Sequence, residues 1–204
     1  MLKSKNAAIF AALGLGLLTT MVMLCFTAEG EATAVSQSVL RFHIVADSDS
    51  ARDQQLKLLV RDGIAELTDT LFADSENKEQ AIVVARENIH LLTDKATEIL
   101  RAKGCNDSVR VEIKNLYFPT KTYEDITFPA GNYDAIHITL GKGEGQNYWC
   151  VMFPALCVSS AKGNNSEMLS VVLNKDELNL VTKPYTVKFK LAEWFGKLKH
   201  FFSK

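Results

Sequence analysis

Between Arg41 and Asp62 the spacing of apolar residues changes once, and that change fixes a strand, a turn and the start of a helix. Leu40, Phe42 and Ile44 alternate with Arg41 and His43, the period of a strand with one buried face. From Leu56 onward Leu59, Val60, Ile64 and Leu67 recur at helical spacing, leaving Lys57, Arg61, Asp62 and Glu66 mostly on other faces. The switch falls within 46–53. Ser48, Asp49 and Ser50 can each offer an oxygen to the unpaired N–H groups of the first helical turn, and Ser50 with Asp53 has the form of a capping box. Carboxylates there also favour the positive end of the helix.

The rest of the chain supplies partners for this unit. The first helix is predicted over 51–72, with Gly63 its weak point, and a second over 78–103, ended by Gly104. Val109, Val111 and Ile113 alternate with Arg110, Glu112 and Lys114 in a strand of a one-sided sheet. A loop-rich stretch with two Phe-Pro steps follows over 117–135. Strands over 136–140 and 148–153 are predicted to form a hairpin through 141–147, with Ile138 opposite Trp149, Ile136 opposite Val151 and His137 opposite Cys150. A basic amphipathic helix is predicted over 187–202. The fold class is α+β: an antiparallel or mixed sheet packed with two long helices and a C-terminal amphipathic helix.

Lys3 and Lys5 precede an uncharged, mostly apolar run over 6–27, and Glu29 and Glu31 follow it. A run of roughly 20 residues can cross a bilayer, and the lysines place its N-terminus inside. Residues 1–38 are therefore expected to be a signal peptide or membrane anchor with a short polar linker over 35–38, and 39–204 an exported globular domain. Ala32-Thr33-Ala34 offers a small-x-small cleavage pattern, so cleavage and retention both stay open. The formal net charge of −1 gives no reason to expect nucleic acid as a partner.

No convincing catalytic or metal-binding set is present. The carboxylates from Asp47 to Asp53 fail the calcium-loop pattern at Ala51, Arg52 and Leu58. Gly141, Gly143 and Gly145 suit a tight turn and lack the Lys-Ser/Thr of a phosphate loop. Ser159 and Lys162 have the Ser-x-x-Lys spacing without its companion motifs. Cys150 and Cys157, either side of a segment containing Pro154, can form a disulfide or remain buried thiols. The sharpest enzymatic alternative is an envelope cysteine hydrolase using Cys150 with His137 as its base, and a cell-surface structural protein is another. No catalytic residue, cofactor or metal is assigned.

Three blocks of residues resemble one family. Arg41-Phe-His-Ile-Val-Ala-Asp-Ser-Asp-Ser50 with Asp53-Gln54 and Lys57 to Asp62 is the first, departing only at Asp47, where that pattern more often has Asn. Phe118 to Lys121 with Phe128 to Gly131, Tyr133 and Ala135 is the second, and Asn147 to Cys157 the third. Together they resemble the stage II sporulation protein R family of endospore-forming bacteria. The resemblance implies a signalling protein exported from the forespore into the intermembrane space. There it would activate a membrane-embedded aspartic protease of the mother cell, which processes pro-sigma factor E. Activation would be by binding, through Asp47, Ser48, Asp49, Asp53, Tyr117, Phe118, Lys121, Tyr123 and Trp149. Asp49 and Asp53 rank first, and Trp149 suits the core better than an interface.

Overall fold

The computed structural model describes residues 2–123, 126–157, 169–170 and 172–182. The predicted helix over 187–202 and the Ser159 to Lys162 motif lie outside them.

A four-stranded mixed sheet is built from β1 (Leu40–Val45), β2 (Val109–Phe118), β5 (Gly131–Leu140) and β6 (Asn147–Phe153), in the order β2-β5-β1-β6. β1 runs parallel to β5 and antiparallel to β6, and β2 is antiparallel to β5. Two short strands, β3 (Lys121–Tyr123) and β4 (Ile126–Phe128), pair among the described residues only with each other. The α+β class with a mixed sheet is as expected.

The predicted hairpin is not. β5 and β6 are separated by β1, so 141–147 straddles one strand and the register that placed His137 against Cys150 does not exist. A two-residue turn could join only adjacent strands about 4.8 Å apart, whereas this longer, glycine-rich connection crosses twice that spacing.

Alternation along β1 does set the faces. Phe42 and Ile44 join Ile136, Ile138, Cys150 and Met152 on one face, covered by α2 (Ala51–Leu71), α3 (Lys78–Glu87) and α4 (Ile89–Ala102). Leu56, Val60, Ile64, Ala85, Leu92, Ala96 and Leu100 supply the helical side of this core. The single helix expected over 78–103 is broken at Asn88, whose side-chain amide donates to the carbonyl of Val84 at 2.8 Å. The backbone N–H of Asn88 donates to the same carbonyl at 3.1 Å, so the break is one of backbone geometry, with φ −108° and ψ 21°, and not of a lost bond. Gly63 is a close-approach point: a Cβ there would meet Ile99 of α4.

The other face is covered too, which the half-buried reading of β1 missed: all six of its residues are buried. Val35, Val39, Phe118, Ile126, Phe128, Tyr133, Ala135, Val151, Leu169, Leu173 and Val181 form a second core beneath the β3–β4 hairpin and α5 (Lys175–Thr182). Val35 belongs to α1 (Leu2–Ser38) and is fully buried, so 35–38 is the docked end of a helix and not a polar linker. Lys78 fastens that end, with its ammonium 2.9 Å from Asp134 and 3.4 Å from the carbonyl of Ser36. Further up α1, Phe10, Leu13, Leu15, Leu17, Leu18 and Met23 are exposed. Among the described residues no helix is long and apolar enough to cross a membrane.

Candidate recognition face

β1 and β5 run parallel and finish at the same end of the sheet, and the segments leaving them are tied together. Lys142 N–H donates to Asp47 Oδ1 and Gln146 N–H to Asp49 Oδ1, each at 2.7 Å. Glu144 N–H donates to the carbonyl of Asp47 and Gly145 N–H to that of Ala46. From α2 the buried Lys57 ammonium donates to the Gln146 carbonyl at 2.8 Å. Asp53 sits at the helix start, where Ser48 Oγ donates to its carboxylate and its own N–H donates to Ser50 Oγ. Hydrogen bonds from Ser48 and then Ser50 hold the Asp53 carboxyl below the usual range. Asp47, Ser48, Asp49 and Asp53 are thus brought together, as a latch between cap and loop.

The glycines follow from that latch. Gly141 and Gly143 have φ of 57° and 69°, in the left-handed region. A Cβ at Gly145 would fall against the carbonyl of Ser48, which is backbone and cannot swing aside. Gly145→Ala is expected to cost about 1–2 kcal/mol by forcing the loop off the cap. Urea denaturation measures it, and an unchanged midpoint would show the loop to be freely adjustable.

Below the latch the second face is polar. His43 of β1 and His137 of β5 lie side by side with their Nδ1 atoms 2.9 Å apart. His43 Nε2 is 2.7 Å from Asn147 Oδ1, and His137 Nε2 is 3.2 Å from Thr139 Oγ1. With Asn147 Oδ1 as acceptor, one proton arrangement satisfies every group. Thr139 O–H donates to His137 Nε2, His137 Nδ1–H donates to His43 Nδ1, and His43 Nε2–H donates to Asn147. Both rings are then neutral. Burial pushes both below the ordinary histidine value, His137 to about 4, with His43 and Lys114 adding to the effect on His137. Trp149 stacks on His43 at 3.8 Å between centroids, and Glu112 and Lys114 flank the pair from β2.

Arg41 lies on the same face, fully buried and with no carboxylate among its described hydrogen-bond partners. Its guanidinium is 4.5 Å from the ring of Phe118, 5.0 Å from Tyr133, 5.1 Å from Phe128 and 5.9 Å from Tyr123. Nε donates to the Cys150 carbonyl at 2.9 Å and Nη2 to Tyr123 Oη at 3.0 Å. Tyr123 Oη in turn donates to the Trp149 carbonyl at 2.8 Å. Cation–π attraction and these bonds stand in for a counter-ion.

Phe118, Tyr123 and Trp149 therefore converge on Arg41 and His43. Lys121 lies half-buried in β3, and Tyr117 is half-exposed on β2 beside the buried Phe118. Arg41 and His43 are the residues that sequence reasoning missed. The available signal was their place inside an otherwise apolar strand, which was read as a solvent-facing alternation.

Cys150 and His137 are not brought together. Cys150 points into the helix-side core and His137 into the opposite face, on strands separated by β1. The hydrolase pairing is thereby overturned. Cys150 and Cys157 are adjacent, buried, free thiols; the hydrogen bond to Cys150, then burial, raises the Cys157 thiol well above its ordinary value. That opposes the thiolate needed by a nucleophile. Among the described residues no group of three or more His, Cys, Asp or Glu side chains could hold a metal ion.

A mixed sheet with three helices on one face, and on the other a caged arginine and a histidine pair below a latched acidic loop, defines an α+β protein with one tightly hydrogen-bonded polar face. The family described as stage II sporulation protein R matches residues 36–163, which hold all four strands of the main sheet and the helices between β1 and β2. The chain is also 39% identical over 191 residues to the stage II sporulation protein R of Bacillus subtilis (strain 168), covering 83% of this chain and 85% of that protein. It belongs to the stage II sporulation protein R family. No solved structure matches it significantly.

Proposed function

We propose that this sporulation protein is a signal that crosses from the forespore into the space between forespore and mother cell. There it turns on a membrane-embedded aspartic protease of the mother cell, which then cuts the pro-form of sigma factor E. Family membership over 36–163 is the observation that carries the reading. The separation of Cys150 from His137 supports action by binding in place of catalysis. Binding activates if the protein prefers the active form of the protease, since a ligand moves an equilibrium only by its differential affinity.

The contact surface we assign is the end of the sheet carrying Asp47, Ser48, Asp49 and Asp53, continued by Trp149, by Lys121 and Tyr123 of the β3–β4 hairpin and by Tyr117, with the buried Phe118 supporting it from beneath. The exposed apolar side chains of α1 suit a segment that enters a membrane during export, whether it is then retained or cleaved.

The test is processing of the pro-sigma factor in non-sporulating cells expressing the protease and its substrate. One strain carries the whole chain and another a version lacking 1–34, which retains the buried Val35. Cleavage with the whole chain only is expected. Absence of cleavage with folded, exported protein sinks the reading.

A further inference from the structure

The hydrogen-bonded histidine chain runs beneath the latched loop from one end to the other. Thr139 stands just before Gly141, where 141–147 leaves β5, and Asn147 is the residue on which the loop enters β6. From the other side the loop is held by Asp47, Asp49 and Lys57. Gly143 lies so close over Thr139 that a Cβ there would meet Thr139 Cγ2. His137 and His43 thus carry the two footings of the loop.

The pair has room for few protons. Its facing Nδ1 atoms, 2.9 Å apart, share one hydrogen. A first added proton fits on His137 Nε2 if the Thr139 hydroxyl turns to accept instead of donate. Glu112, opposite His137 on β2, favours that charge, while Lys114 and Arg110 of the same strand oppose it. A second proton has only His43 Nδ1, since His43 Nε2–H already donates to Asn147 Oδ1. There N–H would face N–H at hydrogen-bond distance. Lys114 opposes charge on His43 as well, the Arg41 guanidinium stands next along this face of β1, and Trp149 and Asn147 of β6 bring no charge to offset them. One ring has to turn out. If it is His43, the bond to Asn147 and the stack on Trp149 are lost; if it is His137, the bond to Thr139 is lost. Either way one footing of the loop goes.

We propose that the histidine pair is a proton-operated catch: protonation of both rings frees 141–147 from the cap over Asp47 to Asp53 while the sheet and the helix-side core stay folded. Acid then reshapes the contact surface assigned above; that consequence rests on the proposed function, and the release itself does not. An open loop leaves both rings in water, where histidine takes up its proton near pH 6.5. Burial keeps the rings neutral while the loop is closed, so uptake waits for opening. Each proton gained on opening raises the open fraction by up to about tenfold per pH unit, and two together make the response steep.

Amide hydrogen exchange of the full chain in detergent, corrected for the pH dependence of the chemical step, reads the release. The N–H groups of Lys142, Glu144, Gly145 and Gln146 are hydrogen-bonded in the closed loop. Between pH 6.5 and about 5 their opening is expected to rise about tenfold or more, with 56–65 of α2 unchanged. In a second measurement on the same wild-type chain, the ring C2–H resonances of His43 and His137 shift over the same interval. The double variant His43→Asn with His137→Asn has no ring to protonate and is expected to lose the rise. A rise that survives in it belongs to the carboxylates of the cap and overturns the proposal, as does a rise shared by 56–65, which is global unfolding. Rings that titrate in the wild-type chain while 141–147 stays closed overturn it too, whether or not the double variant folds. Processing of the pro-sigma factor is a separate readout, so failure here leaves the signalling reading standing.

Discussion

Arg41→Ala is expected to lower the unfolding free energy by about 3–5 kcal/mol, the scale of a large buried truncation that also strands polar partners. Three losses coincide. The Cys150 carbonyl loses its donor from Nε, Tyr123 Oη loses its donor from Nη2, and four aromatic rings lose the cation they enclose. The damage is local at first. Among the described residues β3 and β4 have no ladder to the main sheet, so the Arg41, Tyr123 and Trp149 chain is a polar tie that holds the hairpin down. Arg41→Met separates packing from hydrogen bonding: it keeps most of the apolar stem, strands the same acceptors and is expected to cost about 2 kcal/mol. The methionine variant also removes Nη1, a buried donor without a hydrogen-bond partner among the described residues. Urea midpoints at constant slope give both numbers, and hydrogen exchange should show 121–128 opening first. An alanine variant within about 1 kcal/mol of wild type would show that the aromatic residues close the gap unaided.

Much of this was legible in the sequence because local rules sufficed. The change of period after Val45 located β1 and α2, and Ser50 is the cap, its hydroxyl accepting from Asp53 N–H. Alternation over Val109 to Ile113 located β2. Failures came where a distant element overrode a local pattern. Three glycines between two apolar strands spell a hairpin locally. The loop instead carries them across β1, and only the Asp47 and Asp49 carboxylates reveal what the glycines are shaped to meet. The division of the second helix at Asn88 is a local exception: its backbone leaves helical geometry, with φ −108° and ψ 21°, while the apolar stripe runs on through it.

The candidate site was half visible for the same reason. Asp47 to Asp53 were recognised as a cap, but their use in holding 141–147 depends on a contact about a hundred residues away along the chain. Arg41 and His43 were set aside as the wet side of a strand. A polar residue in a central strand is informative only once the covering layer is known. Here that layer comes from the end of α1 and the 118–135 segment, neither of which announces itself as a lid.

The histidine pair gives a pH dependence whose window separates it from the acids. Above pH 6.5 both rings are neutral in either state, and the Thr139, His137, His43 and Asn147 chain is intact. His137 has its folded value pushed to about 4 against an ordinary 6.5, so the unfolded chain takes up the proton first and stability falls as pH drops between these values. At about 1.4 kcal/mol per pH unit the loss reaches roughly 3 kcal/mol, since His137 is only 9% exposed. His43, also lowered by burial, adds in the same direction, and the two titrate as a coupled pair. The carboxyls of Asp53, Glu112 and Asp134 are depressed, so their contribution persists until pH falls below their ordinary range near 4. The interval from 6.5 to about 4.5 thus belongs to the histidines. Denaturant titrations across it should show a steady loss in the wild-type chain and a shallower one in His137→Asn, whose amide nitrogen takes the place of Nδ1 and can still donate to His43. Equal slopes in the two proteins would place the lost protonation site elsewhere and remove the pair from the account of acid sensitivity.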